Sequence, residues 1–239
     1  MDFKIIFLLF IIYSFLGWIV EVLDIYFEQN KLLNRGFLIG PVCPIYGVGC
    51  LLLYFLLKKY MEEPIVVFVL AIVICALLEY FTSYVMEKIF KVRWWDYSNK
   101  KYNINGRICL ETMLPFGIMG CLILYYVNPF CLKILGMLNS VVLNIIFYSI
   151  LTIFVVDLAV SLKVITNIKF VTSNVVKDNT EEITKKVRQT IINKIKSFKS
   201  GKDNLNVKIK KILSEQSYFT KRFVNSFPKF KIIDKIKKK

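Results

Sequence analysis

Five long apolar segments constrain the fold of this 239-residue chain more than any other feature. They lie at about residues 4–27, 39–58, 64–87, 108–127 and 139–162. About 20 consecutive apolar residues form a helix that crosses roughly 30 Å of hydrocarbon. A water-soluble core would interrupt such segments with polar faces, and the mean hydropathy of +0.55 is too high for an ordinary soluble domain. The sequence therefore predicts an all-α integral membrane bundle of about five transmembrane helices, multi-pass in the cell membrane. No small-residue cleavage site follows the first segment, so we expect that helix to be retained.

The absence of histidine removes several kinds of chemistry. A His-ligated zinc site, a Ser-His-Asp or Cys-His nucleophile and a histidine pH switch all require this residue. The six cysteines lie in or beside apolar segments and form no C-x-x-C pair, so we interpret them as packing residues. We expect no metal, no cofactor and no catalytic residue.

Charge divides the chain into two parts. Residues 164–239 carry 20 Lys or Arg against six acids, a net charge of +14, whereas residues 1–163 carry +2. We predict a transmembrane domain over 1–163 and a basic cytoplasmic tail over 164–239. Positively charged loops stay on the inner side of a membrane, and an odd number of spans places the N-terminus outside.

Residues 36–49 are unusual for a membrane span, because they contain four Gly and two Pro. This composition predicts a broken or re-entrant segment. Irregular backbone survives at membrane depth only where protein or a water-filled cavity satisfies it. The alternative is a loop at the interface followed by a helix with Pro near its start.

Four acids interrupt the apolar segments: Glu21, Glu79, Glu111 and Asp157. A charged residue costs about 2.5–3.5 kcal/mol at a helix centre, so such residues normally face the bundle interior or a substrate. All four fall in the predicted cytoplasmic half, with the counter-charges Arg35, Arg107, Lys88 and Lys163 on the same side. We expect an ion-paired polar cluster that opens to the cytoplasm. The alternative is a structural network that fixes helix packing.

Several motifs occur in a characteristic order: Gly17-Trp18-x-x-Glu21, the run from Asn34 to Gly49, Trp94-Trp95-Asp96-Tyr97-Ser98, and Asn103 to Leu110. Together they resemble the bacterial Putative ABC-transporter type IV family, also described as CmpB-like permeases, over about residues 5–130 and more weakly to 160. The resemblance implies a small multi-pass permease. The chain has no G-x-x-x-x-G-K-[ST] phosphate loop, so an ATPase would be a separate subunit.

The motifs and the charged positions together define the candidate site. We expect the planar Arg forks and the start of the second helix to suit an anionic or lipid-phosphate substrate, unless the acids neutralise them or bind a cation or proton. The predicted substrate-binding residues are Glu21, Asn34, Arg35, Gly40, Pro41, Cys43, Pro44, Tyr46, Glu79, Asp96, Asn105, Arg107 and Glu111. The aromatic residues Trp94, Trp95 and Tyr97 are predicted to anchor the chain at the membrane interface.

The basic tail predicts a membrane-associated segment. Apolar residues recur four apart over 180–199, which indicates an amphipathic helix, and aromatic residues alternate with Lys and Arg after Tyr218. Such a surface suits anionic lipids. A docking arm for a cytoplasmic partner is the alternative, and the absence of a recognisable motif argues against nucleic acid.

The sequence thus predicts a membrane transport permease component with an inner-facing polar cavity and an unidentified substrate. Its partners would be the lipid bilayer and either a second copy of the chain or a separate ATPase subunit. Two alternatives stay open: a membrane-embedded enzyme that acts on a lipid or lipid-linked substrate, and a non-catalytic membrane scaffold.

Overall fold

A computed structural model describes residues 1–30, 32–34, 36–90, 92–190 and 231–232. The chain is mostly helical. Its helices are α1 (Phe3–Gln29), α2 (Pro44–Leu57), α3 (Pro64–Phe90), α4 (Leu110–Leu122), α5 (Asn128–Met137) and α6 (Ser140–Thr190). A 3₁₀ turn, Lys58–Tyr60, follows α2, and a π-helical turn, Ile123–Val127, joins α4 to α5. The short strands β1 (Val92–Arg93), β2 (Asn103–Ile104), β3 (Ile108–Cys109) and β4 (Lys231–Ile232) form two antiparallel pairs, β1 with β4 and β2 with β3.

Four of the described helical stretches are long and apolar enough to cross a membrane, where about five transmembrane helices were predicted. They are Phe3–Phe27, Pro64–Phe90, Leu110–Met137 and Ser140–Thr166. The predicted second span contains instead α2, a helix of 14 residues, because the residues around Gly40 and Pro41 do not form a helix. The last helix is longer than predicted, since no Gly or Pro interrupts residues 140–190.

The chain packs into two units. The first comprises residues 1–84 and 96–161, and the second comprises residues 85–95 and 162–239. Within the second unit, Glu87 and Arg93 form an ion pair at 3.0 Å, and the ring of Phe90 packs edge-on against Trp94. The predicted tail helix over 180–199 is helical as far as Thr190, and residues 191–199 lie outside the described part of the chain.

In the first unit, side-chain contacts give the relative directions of the helices. The start of α2 lies against the second half of α1, where Tyr46 contacts Glu21, and later Cys50 packs in one buried cluster with Tyr13. Helix α4 is antiparallel to α3, because Gly117 faces Phe68 and the later Leu124 packs with Val67. Helix α6 runs in the same direction as α1, because Lys4 contacts Asn144 at 2.5 Å and, further along both helices, Phe10 packs against Phe154. The path of the chain therefore reverses at α2, although α2 begins level with the middle of α1.

Two glycines allow α1 and α2 to approach closely. A Cβ atom at Gly17 would overlap the ring of Tyr46, and one at Gly47 would overlap Ser14 Oγ and the ring of Phe10. Small residues commonly permit such close approach between membrane helices. Also on α1, the buried Tyr13 hydroxyl donates a hydrogen bond to Asn128 Oδ1 at 2.6 Å.

We predict that Gly47→Ala lowers the stability of the folded chain by about 1–3 kcal/mol, because the added methyl group must displace α1 from α2. The matched control is Gly136→Ala, since a Cβ atom at Gly136 would meet no atom of the described structure within 4 Å. Unfolding midpoints in detergent measure both variants. Equal midpoints for Gly47→Ala and Gly136→Ala would show that the close packing does not exist.

Candidate functional site

An irregular segment, residues 36–43, precedes α2 and is held by side chains of α1 and of its own loop. Asn34 Oδ1 accepts hydrogen bonds from Trp18 Nε1 at 2.8 Å and from the Gly36 amide at 3.1 Å. Asn34 Nδ2 donates to the Ile39 carbonyl at 2.9 Å. The amide of Cys43 donates to the carbonyl of Ser14 at 2.9 Å. The segment therefore lies against the middle of α1, and protein groups bind several of its backbone polar groups.

Asp157 on α6 binds the same segment. Its Oδ1 accepts from the Ile39 amide at 2.9 Å and its Oδ2 from the Gly40 amide at 2.8 Å. Ser161 Oγ accepts from Ile39 at 3.1 Å and donates to Asp157 Oδ1 at 3.0 Å. A carboxylate satisfied by backbone N–H groups needs no cation. The expectation that Asp157 joins an ion-paired cluster is therefore wrong, and its charge stabilises the irregular backbone.

The predicted residues of this segment have structural positions that explain their types. Gly40 lies so close to α6 that a Cβ atom there would stand 2.7 Å from Asp157 Oδ2. Cys43 is buried at the N-cap of α2, Pro44 occupies the first turn of that helix, and Pro41 is exposed. Pro is favoured in a first helical turn because its missing N–H would have no partner there. Arg35 lies outside the described residues.

Four side chains form what we call the carboxylate–tyrosine cluster: Glu21, Tyr46, Glu79 and Tyr97. The Tyr46 hydroxyl donates to Glu21 Oε1 at 2.7 Å, and the Tyr97 hydroxyl donates to Glu79 Oε1 at 3.3 Å. Glu79 is close enough to both Glu21 and Tyr46 to interact with them electrostatically. The cluster thus joins α1, α2, α3 and the connection between α3 and α4.

Glu79 is the most enclosed acid of this cluster, with 8% of its surface exposed. Its Oε2 atom is buried and accepts a hydrogen bond from none of the residues that the structure describes. Buried polar atoms are nearly always hydrogen-bonded, and an orphaned one calls for an explanation. The cluster therefore contains one buried acceptor atom to which no described residue donates.

A hairpin at the start of α4 positions Arg107. Asn105 and Gly106 have φ angles of 53° and 66°, as a type I′ turn requires at its two central residues. Beyond the turn, the buried Arg107 donates from Nη1 to Ser83 Oγ at 3.2 Å, and its guanidinium carbon lies 5.5 Å from the centre of the Tyr84 ring. Ser83 follows Glu79 by four residues, so Arg107 contacts α3 one turn beyond the cluster.

Two predicted residues use hydrogen bonds or ion pairs away from the cluster. Asp96 Oδ1 accepts from the amide and the hydroxyl of Ser98, which closes a local turn. Glu111 has 66% of its side chain exposed and forms an ion pair with Lys100 at 2.8 Å. Exposed pairs of this kind contribute little to stability. The counter-charge expected for Glu111 among Arg35, Arg107, Lys88 and Lys163 is therefore corrected to Lys100.

Several polar contacts of the structure differ from the predictions or were not predicted. Tyr97 was predicted as an interface anchor, yet its hydroxyl binds Glu79. Tyr80 accepts from Asn105 Nδ2 at 2.9 Å, and Ser83 accepts from Arg107. The signal was present, because polar residues recur at helical spacing after Glu79 on α3. Trp94 is 4% exposed within the second unit, and its role as an anchor, like that of Trp95, stays a prediction.

Comparison with known proteins identifies the family. The model of the family described as Putative ABC-transporter type IV matches residues 8–162. The chain belongs to this family. The matched region contains most of α1, all of α2 to α5, the irregular segment, the carboxylate–tyrosine cluster and Asp157. Comparison with curated proteins and with solved structures finds no match.

We predict that Gly40→Ala and Asp157→Ala are not additive in this family member. Asp157→Ala removes two charge-assisted hydrogen bonds of about 1.5–3 kcal/mol each. Gly40→Ala alone forces its methyl group against Asp157 Oδ2, whereas in the Asp157→Ala background that obstacle is absent. The double variant should therefore be more stable than the two single losses together imply. Unfolding midpoints of the four proteins give the coupling, and simple additivity would contradict the contact.

Proposed function

We propose that this member of the Putative ABC-transporter type IV family is a membrane transport permease component, with an inner-facing polar cavity at the carboxylate–tyrosine cluster. The observation that supports it most strongly is the buried Glu79 Oε2 atom, which accepts no hydrogen bond within the described structure. Ionisable residues inside membrane spans are costly, and they commonly mark substrate or ion pathways. The broken segment before α2 agrees, because transporters often bind their solutes where helices are interrupted.

The inner orientation of this site follows from the distribution of charge. Lys100 and Lys101 lie in the connection between α3 and α4, and the tail after α6 is strongly basic. Lys58 and Lys59 lie between α2 and α3, at the end of α3 opposite to Lys100 and Lys101. The positive-inside rule then places the tail and the cluster's side of α3 in the cytoplasm, with the N-terminus outside.

The basic tail and the family description suggest the partners. We infer that residues 164–239, with 20 Lys or Arg, associate with anionic lipids of the inner leaflet. The family description implies a separate ATPase subunit. One copy of the chain supplies few helices for a complete solute path. A second copy, in a homodimer, would complete that path.

Solute flux tests this function directly. The purified chain is reconstituted in liposomes, and exchange of radiolabelled cationic, zwitterionic and anionic solutes is measured. The same solutes are then tested, with ATP added, in membrane vesicles from cells that express the chain. We expect at least one solute class to move faster than in vesicles without the chain. Glu79→Gln should reduce that flux about tenfold or more, the effect of losing one charge-assisted hydrogen bond.

Glu62→Gln is the matched control, because Glu62 is exposed in the connection between α2 and α3 and should leave the flux unchanged. Flux that is equal in vesicles with and without the chain, for every class and with ATP, would contradict the proposal. Formation of a modified lipid that depends on Glu79 would instead support the membrane-enzyme alternative. If cells that express Glu79→Gln or Glu62→Gln behave like cells that express the wild-type chain, the result would support the scaffold alternative.

A further inference from the structure

The buried Glu79 Oε2 atom also indicates what kind of ligand the cluster takes. The other oxygen of this carboxylate, Oε1, already accepts from the Tyr97 hydroxyl at 3.3 Å. Oε2 has lone pairs but receives no hydrogen bond from any described residue, and solvent does not reach it. A buried acceptor without a donor is destabilising. When Glu79 is ionised, a ligand that completes this position supplies a hydrogen-bond donor.

The charge of the cluster determines the kind of donor. The Glu21 carboxylate interacts electrostatically with Glu79. A donor that carries positive charge gains more from an ionised Glu79 carboxylate than a neutral hydroxyl or amide does. The hydroxyl oxygens of Tyr46 and Tyr97 donate to the carboxylates and still have lone pairs to accept from a second N–H group.

The nearest described arginine does not fill this position. Arg107 donates to Ser83 and lies over the rings of Tyr80 and Tyr84, one helical turn beyond Glu79. These contacts hold the guanidinium beside aromatic faces, which is a favourable arrangement for a cation. Within the part of the chain that the structure describes, no cationic side chain donates to Glu79 Oε2.

We propose that the carboxylate–tyrosine cluster binds a protonated amine, with Glu79 Oε2 accepting an ammonium N–H and the Glu21 carboxylate contributing to the attraction. The proposal rests on the proposed function, since the bound amine is the transported solute. It identifies the solute class as organic ammonium ions that retain at least one N–H group.

Ligand-dependent unfolding tests the binding separately from transport. The full-length chain in detergent is heated at low ionic strength with methylammonium chloride, tetramethylammonium chloride or sodium chloride. The three salts share one anion and one cationic charge, but among these cations methylammonium alone donates N–H hydrogen bonds. At ten times its Kd, methylammonium should raise the Tm by about 3 °C more than the other two salts.

The variants assign this difference to the cluster. Glu79→Gln should abolish the extra shift, and Glu21→Gln should reduce it, whereas Glu62→Gln should retain it in full. Equal shifts with methylammonium and tetramethylammonium would overturn the proposal, as would an undiminished shift in Glu79→Gln. If Glu79→Gln does not fold, an undiminished shift in Glu21→Gln overturns it.

Binding and flux then distinguish the two proposals. Methylammonium binding that depends on Glu79, without flux of any solute, would contradict transport and leave the amine site intact. Flux of another solute class without any specific methylammonium shift would support transport and overturn the amine site.

Discussion

The hydrogen bonds from the Ile39 and Gly40 amides to the Asp157 carboxylate are the contacts on which the rest of this structure depends. A helix satisfies its own backbone, but residues 36–43 are not helical and lie level with the middle of α1. Unsatisfied backbone groups in hydrocarbon cost several kcal/mol each. Asp157 and Asn34 provide partners for this backbone, and only then can α2 begin inside the bundle.

The position at which α2 begins determines the geometry of the candidate site. Because α2 starts beside the second half of α1, Tyr46 reaches Glu21, and Gly17 leaves room for its ring. The close approach through Gly47 keeps the two helices together. The same arrangement brings Glu79 of α3 into electrostatic contact with this pair. The arrangement of the carboxylate–tyrosine cluster therefore depends on where the irregular segment ends and α2 begins.

The sequence predicted the helical membrane bundle and the irregular segment because both depend on local composition: long apolar runs, and four Gly with two Pro over 36–49. It also predicted that Glu21 and Glu79 would lie in the bundle. It did not predict which groups contact each acid, since those pairs join residues far apart in the chain. Asp157 accepts a hydrogen bond from the Gly40 amide, 117 residues away. Glu111 forms an ion pair with the exposed Lys100 and does not face the bundle interior. Tyr97 was predicted to lie at the membrane interface because of its aromatic neighbours. The hydrogen bond from its hydroxyl to Glu79 can be seen only in the folded structure.

The proposed orientation, with the N-terminus outside and the tail inside, requires α2 to complete a membrane crossing although it has only 14 residues. Single cysteines, Asn30→Cys after α1 and Glu62→Cys after α2, test it most directly in a chain whose six native cysteines are replaced by alanine. Both positions are exposed. Labelling of intact cells with a membrane-impermeant maleimide should reach the cysteine at 62 and reach the one at 30 only after permeabilisation. Labelling of both positions from the same side would show that the segment re-enters without crossing, and it would contradict this account.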